Sequence, residues 1–128
     1  MPPSGPAPAP LQLAFRAGLW VCVLAVAWLA FAPLTEPPPG LSWDKGNHAL
    51  AFFVMAWLAD GGYPGRSRAL ARWGLLLGYG LLIELVQRLL PFREFSLLDW
   101  SADALGILLY VGVRAMIGRL GWTPRADG

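Results

Sequence analysis

Charge is scarce in this chain of 128 residues. Lys, Arg, Asp and Glu together make up 14% of it, where a soluble domain carries about 25%. A water-facing surface cannot be covered with so few charges, so a soluble globular enzyme is excluded. Cysteine is nearly absent: Cys22 stands alone and cannot form an intrachain disulfide, which excludes a disulfide scaffold. There is a single histidine, His48, and no H-E-x-x-H, G-x-S-x-G or C-x-x-C spacing, so no familiar metalloprotease, hydrolase or redox motif is present. The net charge of +2 is small and the basic residues are dispersed, which gives nucleic-acid binding no support.

What the chain has instead is apolar surface. It is 56% hydrophobic, with a mean hydropathy of +0.50. The apolar residues lie in four long blocks, which excludes the short alternating strands of an outer-membrane barrel. A membrane-spanning helix takes about 20 residues. The expected fold is an all-α membrane protein, a bundle of four transmembrane helices over approximately 11–32, 43–60, 69–90 and 97–117. These make up a domain of residues 11–121. A proline-rich tail, 1–10, precedes it, and a short tail, 122–128, follows. Ala30-Phe31-Ala32 has the small-x-small form of a signal-peptide cleavage site, but Pro33 follows directly, so an uncleaved first span is expected. Pro37-Pro38-Pro39 bars any helix between the first two blocks. The second block is uninterruptedly apolar only from Ala49 to Ala59, and to reach spanning length it must take Asp44, Lys45 and His48 into its first turns. The loop Asp60 to Gly65 is expected to end it.

Basic residues set orientation. With the N-terminus inside, seven of the ten Lys/Arg residues fall on the inner side and three, Lys45, Arg88 and Arg93, on the outer. Both termini are therefore expected in the cytoplasm.

The costly polar residues then converge on the outer end. The second helix begins there with Asp44, Lys45, Asn47 and His48. The third ends there with Glu84, Gln87 and Arg88. The connection carries Arg93 and Glu94, and the fourth helix begins with Asp99 and Asp103. Asp44/His48 and Asp99/Asp103 are i, i+4 pairs and Glu84/Gln87 an i, i+3 pair, so each pair shares one helix face. Glu84 lies seven residues before Pro91, about 10 Å along the axis at 1.5 Å per residue. Ionisable groups at such depth turn to a bundle interior or a wet cavity. A polar pocket lined by Asp44, Lys45, His48, Glu84, Gln87, Arg93, Asp99 and Asp103 is the expected ligand-binding site.

Several of these residues have plainer roles open to them. Ser96 to Asp99 reads as a capping box, with Phe95 and Trp100 as its hydrophobic staple. Asp44 suits a helix N-terminus, His48 a hydrogen-bonded interior position, and Arg88 a snorkelling one. Glu84 and Asp103 are too deep for capping. Gly74/Gly78 and Ala102/Gly106 are small-xxx-small pairs that suit close helix packing.

In order, Asp44-Lys45-x-x-His48-x-x-x-Phe52, Glu84-x-x-Gln87, Arg93, Asp99 and Gly106 resemble the pattern of the VanZ-like family of small bacterial membrane proteins. The likeness implies a multi-pass protein of the bacterial cytoplasmic (inner) membrane. It also implies a link to glycopeptide susceptibility, since the family's namesake is associated with teicoplanin resistance. One departure stands out: Asp103 occupies the asparagine position of the family's D-x-x-x-N-x-x-G segment.

Three functions compete. In the first, the pocket binds an envelope lipid headgroup, a lipid-linked cell-wall intermediate or a glycopeptide. Arg93 and Lys45 would meet its phosphate or carboxylate groups, helped by two helix N-termini. In the second, His48, Glu84 and Asp103 are the catalytic candidates of a lipid hydrolase: either His48, Glu84, Asp99 and Asp103 hold a divalent cation that activates water, Mg²⁺ or Ca²⁺ suiting so oxygen-rich a site better than Zn²⁺, or His48 with a carboxylate is the general base. In the third, the cluster is a packing network in a homo-oligomer. The polar residues gather at one end, whereas a transport site is expected near the bilayer midplane.

Overall fold

The computed structural model describes residues 9–31, 44–90 and 97–119, with the side chains of Asp44 and Lys45 outside the described set. Helix α1 runs Pro10–Phe31, α2 Asp44–Gly62, α3 Ala69–Arg88 and α4 Leu97–Arg119, and a single 3-10 turn, Arg66–Arg68, leads into α3. The described residues hold no strand. Pro10, expected in the N-terminal tail, instead opens α1; the expectations for residues 1–8, the C-terminal tail, the proline breaker, the Ser96 cap, the Phe95 staple, Arg93 and Glu94 lie outside the described residues.

Three helical stretches, Pro10–Phe31, Arg66–Arg88 and Leu97–Arg119, are long and apolar enough to cross a membrane. This is the make-up of a helical membrane protein. At 22 and 23 residues, α1 and α4 measure about 33–35 Å, enough for a hydrocarbon core of about 30 Å. Their outward residues suit lipid: Trp20, Leu24 and Trp28 on α1 and Leu105, Leu108 and Met116 on α4 are exposed and apolar.

Helix α2 is not among those three, and its position explains why. It is the central element, packed most extensively against α4 and next against α1. Phe52, Met55, Ala56 and Ala59 of α2 form the core with Leu19 of α1, Leu76 of α3 and Ile107 of α4. A helix packed against three neighbours need not be apolar throughout, so α2, which still exposes Leu50 and Trp57, can carry polar groups at both ends. It also runs two residues further than expected, to Gly62, so Asp60 is helical rather than part of a loop.

The two small-residue pairs separate. A Cβ on Gly106 would run into the carbonyl oxygen of Ala49, so this glycine lets α4 cross directly over α2. Gly74 and Gly78 face open space. The expectation that they bring helices together within the chain is thus corrected. Helix α3 packs through Leu76, Gly80, Ile83, Glu84 and Gln87, a stripe of i, i+4, i+7 spacing, and turns Gly74 and Gly78 away from it.

Candidate functional site

The first turns of α2 and α4 and the last turns of α3 meet at one end of the bundle, here the His48 end. Asp103 is its buried anchor, 1% exposed. Its carboxylate fits over Gly80 of α3, where a Cβ would lie 2.6 Å from Oδ2. A side chain on α3 at this point would expel the carboxylate. Asp103 Oδ1 accepts a hydrogen bond from His48 Nδ1 at 2.7 Å. That bond fixes the imidazole's orientation; in the neutral tautomer that donates from Nδ1, Nε2 is the acceptor nitrogen. Nε2 lies 3.9 Å from Oδ2 of Asp99, beyond hydrogen-bonding reach. Asp99 and Asp103, one turn apart on α4, thus flank the two nitrogens of the same ring.

Glu84 reaches the same place from α3. It is fully buried at 0% exposure. One ligand atom from each of His48, Glu84 and Asp99 lies within 4.8 Å of the other two. Three sequence-predicted residues from three helices are therefore brought together, with Asp103 behind them. Gln87 is nearby in the chain and buried, but its amide nitrogen donates to the carbonyl of Ala30 at 2.9 Å, bracing α1 against α3. Asn47 carries a buried amide nitrogen with no acceptor among the described residues. The indole of Trp100 donates to the carbonyl of Leu77 at 3.0 Å and ties α4 to α3. The proposed contacts of Asp44, Lys45 and Arg93 lie outside the described side chains.

A second polar cluster at the opposite end was not anticipated from sequence. Asp60 of α2 is buried and accepts from the Tyr110 hydroxyl at 2.6 Å. It pairs with Arg114 at 3.0 Å and Arg72 at 3.2 Å. Arg72, also buried, donates to the carbonyls of Tyr63 and Gly65 at 2.9 and 2.8 Å and sits over the Trp73 ring. Arg16 of α1 donates to the Gly62 carbonyl at 2.7 Å and covers the Tyr63 ring. Four helices are thus fastened around one carboxylate and one turn. The available signal was Asp60 itself, the only acidic residue between Asp44 and Glu84, together with the i, i+4 spacing of Tyr110 and Arg114.

The chemistry open to the two ends differs. At the Asp60 end the carboxylate is engaged by three donors. At the His48 end the imidazole is held from behind at Nδ1 and turns Nε2 toward two carboxylates. Such a nitrogen can bind a cation, take a proton or accept from a ligand. No known family model, curated protein or solved structure matches this chain.

Proposed function

We infer that this is a four-span protein of the bacterial cytoplasmic membrane, VanZ-like in its residue pattern, that binds the polar headgroup of an envelope lipid at its His48 end. The convergence of His48, Glu84, Asp99 and Asp103 from three apolar-flanked helices carries the reading. Lipid crossing into such an end would leave its chains along the exposed leucines and tryptophans and its headgroup at the polar cluster. A lipid-linked cell-wall intermediate is the ligand class that joins this chemistry to the glycopeptide link implied by the resemblance.

Orientation follows from the contrast between the ends. Arg16, Arg66, Arg68, Arg72, Arg114 and Arg119 lie at or toward the Asp60 end, which faces the cytoplasm on this reading. The His48 end then opens to the outer leaflet, where lipid-linked wall precursors are used.

One observation favours a hydrolytic reading beside it. The Asp103–His48 bond of 2.7 Å is the arrangement that holds a general base in its working tautomer. Such a base would act on water as the nucleophile; headgroup binding is the primary reading because the convergence itself carries it without any bond cleavage.

Native mass spectrometry of the gently extracted protein tests the proposal, with the Glu84→Gln/Arg93→Ala variant beside it. A lipid adduct on the wild type that disappears from a folded variant is the expected result. A wild type without adduct, or an adduct equally present on the variant, would refute it.

A further inference from the structure

We propose that the His48 end holds a divalent metal cation, ligated by His48 Nε2 and by the carboxylates of Glu84 and Asp99, with Asp103 orienting the imidazole. The three ligating groups come from α2, α3 and α4, and one atom of each lies within 4.8 Å of the others. Spacing is the first argument. The 3.9 Å between Nε2 and the Asp99 oxygen is too long for a hydrogen bond. Around a common ion, ligand atoms bonded at about 2.1 Å stand about 3.0 Å apart when adjacent and about 4.2 Å apart when opposite in an octahedron. The Nε2–Asp99 separation lies between these two values, and the 4.8 Å limit on the three atoms lies about 0.6 Å beyond the larger, so a bound ion would draw the ligands in by a few tenths of an ångström.

The support behind His48 is the second argument. Metal-bound imidazoles characteristically donate their other N–H to a carboxylate, which fixes the tautomer and raises the basicity of the ligating nitrogen. Asp103 occupies that position at 2.7 Å from Nδ1. It is 1% exposed, and the absence of a side chain at Gly80 gives it its space. The orienting carboxylate is therefore built into the helix crossing, separately from the two carboxylates that ligate.

The donor set selects the ion. One imidazole nitrogen with carboxylate oxygens suits Mn²⁺ or Mg²⁺ better than ions that favour sulfur. Three protein ligands leave about half of an octahedron for other oxygens. Phosphate oxygens of a lipid headgroup would complete it, and this last step alone rests on the headgroup-binding reading above. An acidic cluster then binds an anionic lipid through the metal.

Mn²⁺ is the probe. Purified full-length protein in detergent is stripped with chelator, titrated with Mn²⁺ and followed by electron paramagnetic resonance, with lipid content measured on the same samples. One saturable Mn²⁺ per chain is expected. Asp99→Asn should weaken it at least tenfold, and Asp103→Asn by about 10–100-fold, the usual cost of losing an orienting partner. Glu84→Gln should do the same, and Asp99, the most accessible of the three carboxylates, serves as the control if the buried substitution misfolds. No saturable Mn²⁺, or binding unchanged in folded Asp99→Asn, overturns the proposal. Mn²⁺ bound with no lipid retained upholds the cation site and refutes the headgroup reading; lipid retained with no Mn²⁺ does the reverse.

Discussion

The two ends of this bundle use the same residue types to opposite effect. At the Asp60 end one buried carboxylate meets two guanidinium groups and a phenol, and the spare donors of Arg72 reach backbone carbonyls. At the His48 end Asp103 holds His48 from behind while Asp99 stays 3.9 Å away from the ring's other nitrogen. The first arrangement uses most of its polar capacity in holding helices together, although Arg72 Nε is buried there without an acceptor. The second leaves an oriented acceptor pointing toward two more carboxylates. Burial of charge alone therefore does not mark a binding site in a membrane bundle. On the reading proposed above, what marks it is a buried group that orients another without saturating it.

The comparison is broken most severely at Asp60. Asp60→Ala would leave the buried Arg72 guanidinium beside that of Arg114 with no carboxylate between them. Loss of one partner of a buried pair costs about 3–5 kcal/mol. The expected outcome is a steep fall in thermal stability in detergent and in yield of folded protein, read by circular dichroism during heating. Asp103→Ala should cost less, about 1–3 kcal/mol for a broken buried hydrogen bond. The remaining partner, His48, has a side chain 26% exposed and can stay neutral, which arginine cannot. Equal losses in the two variants would show that both ends are packing networks.

The glycines sharpen the contrast between helix faces. Gly106→Ala drives a methyl group into the Ala49 carbonyl of α2, and overpacking of this kind costs about 1–3 kcal/mol. Gly78→Ala meets nothing and should stabilise by about 0.5–1 kcal/mol through helix propensity. The same melting experiment reads both. Destabilisation by Gly78→Ala, with a shift in oligomeric state, would reveal that this face packs against a second copy.

Much of this layout was legible in the chain because a membrane helix announces itself by length and apolarity. Prolines and glycines between the blocks placed the ends of α1, α3 and α4 within a few residues. The His48 end was legible because polar residues recur at i, i+4 on helices whose ends alternate sides, so topology alone brings them together. The Asp60 end was not. Arg16, Arg72 and Arg114 look like the flanking charges that orient any span, and nothing in their spacing says that two of them turn inward to one aspartate. Asp60 beside Gly61-Gly62 looked like a loop residue, since glycines so often end helices. The close approach of the chain there explains why small residues continue the helix: a Cβ on Gly61 would lie 2.5 Å from the Phe15 ring. Gly80 was equally silent, for its role is to leave room for a side chain 23 residues away on another helix.

The smallest expected change in stability is also the most informative about function. Asp99 lies in the first turn of α4, where a carboxylate favours the helix dipole by no more than about 1 kcal/mol. Asp99→Asn keeps the shape and removes the charge, so the bundle should melt within a few degrees of the wild type. If Asp99 only caps its helix, lipid retention and Mn²⁺ binding should follow that slight change and stay near normal. If it completes a ligand set with His48 and Glu84, both should fall by tenfold or more while the fold persists. The same substitution thus separates a helix start from a binding site, because capping acts through backbone N–H groups and ligation acts through a charge shared with two other helices.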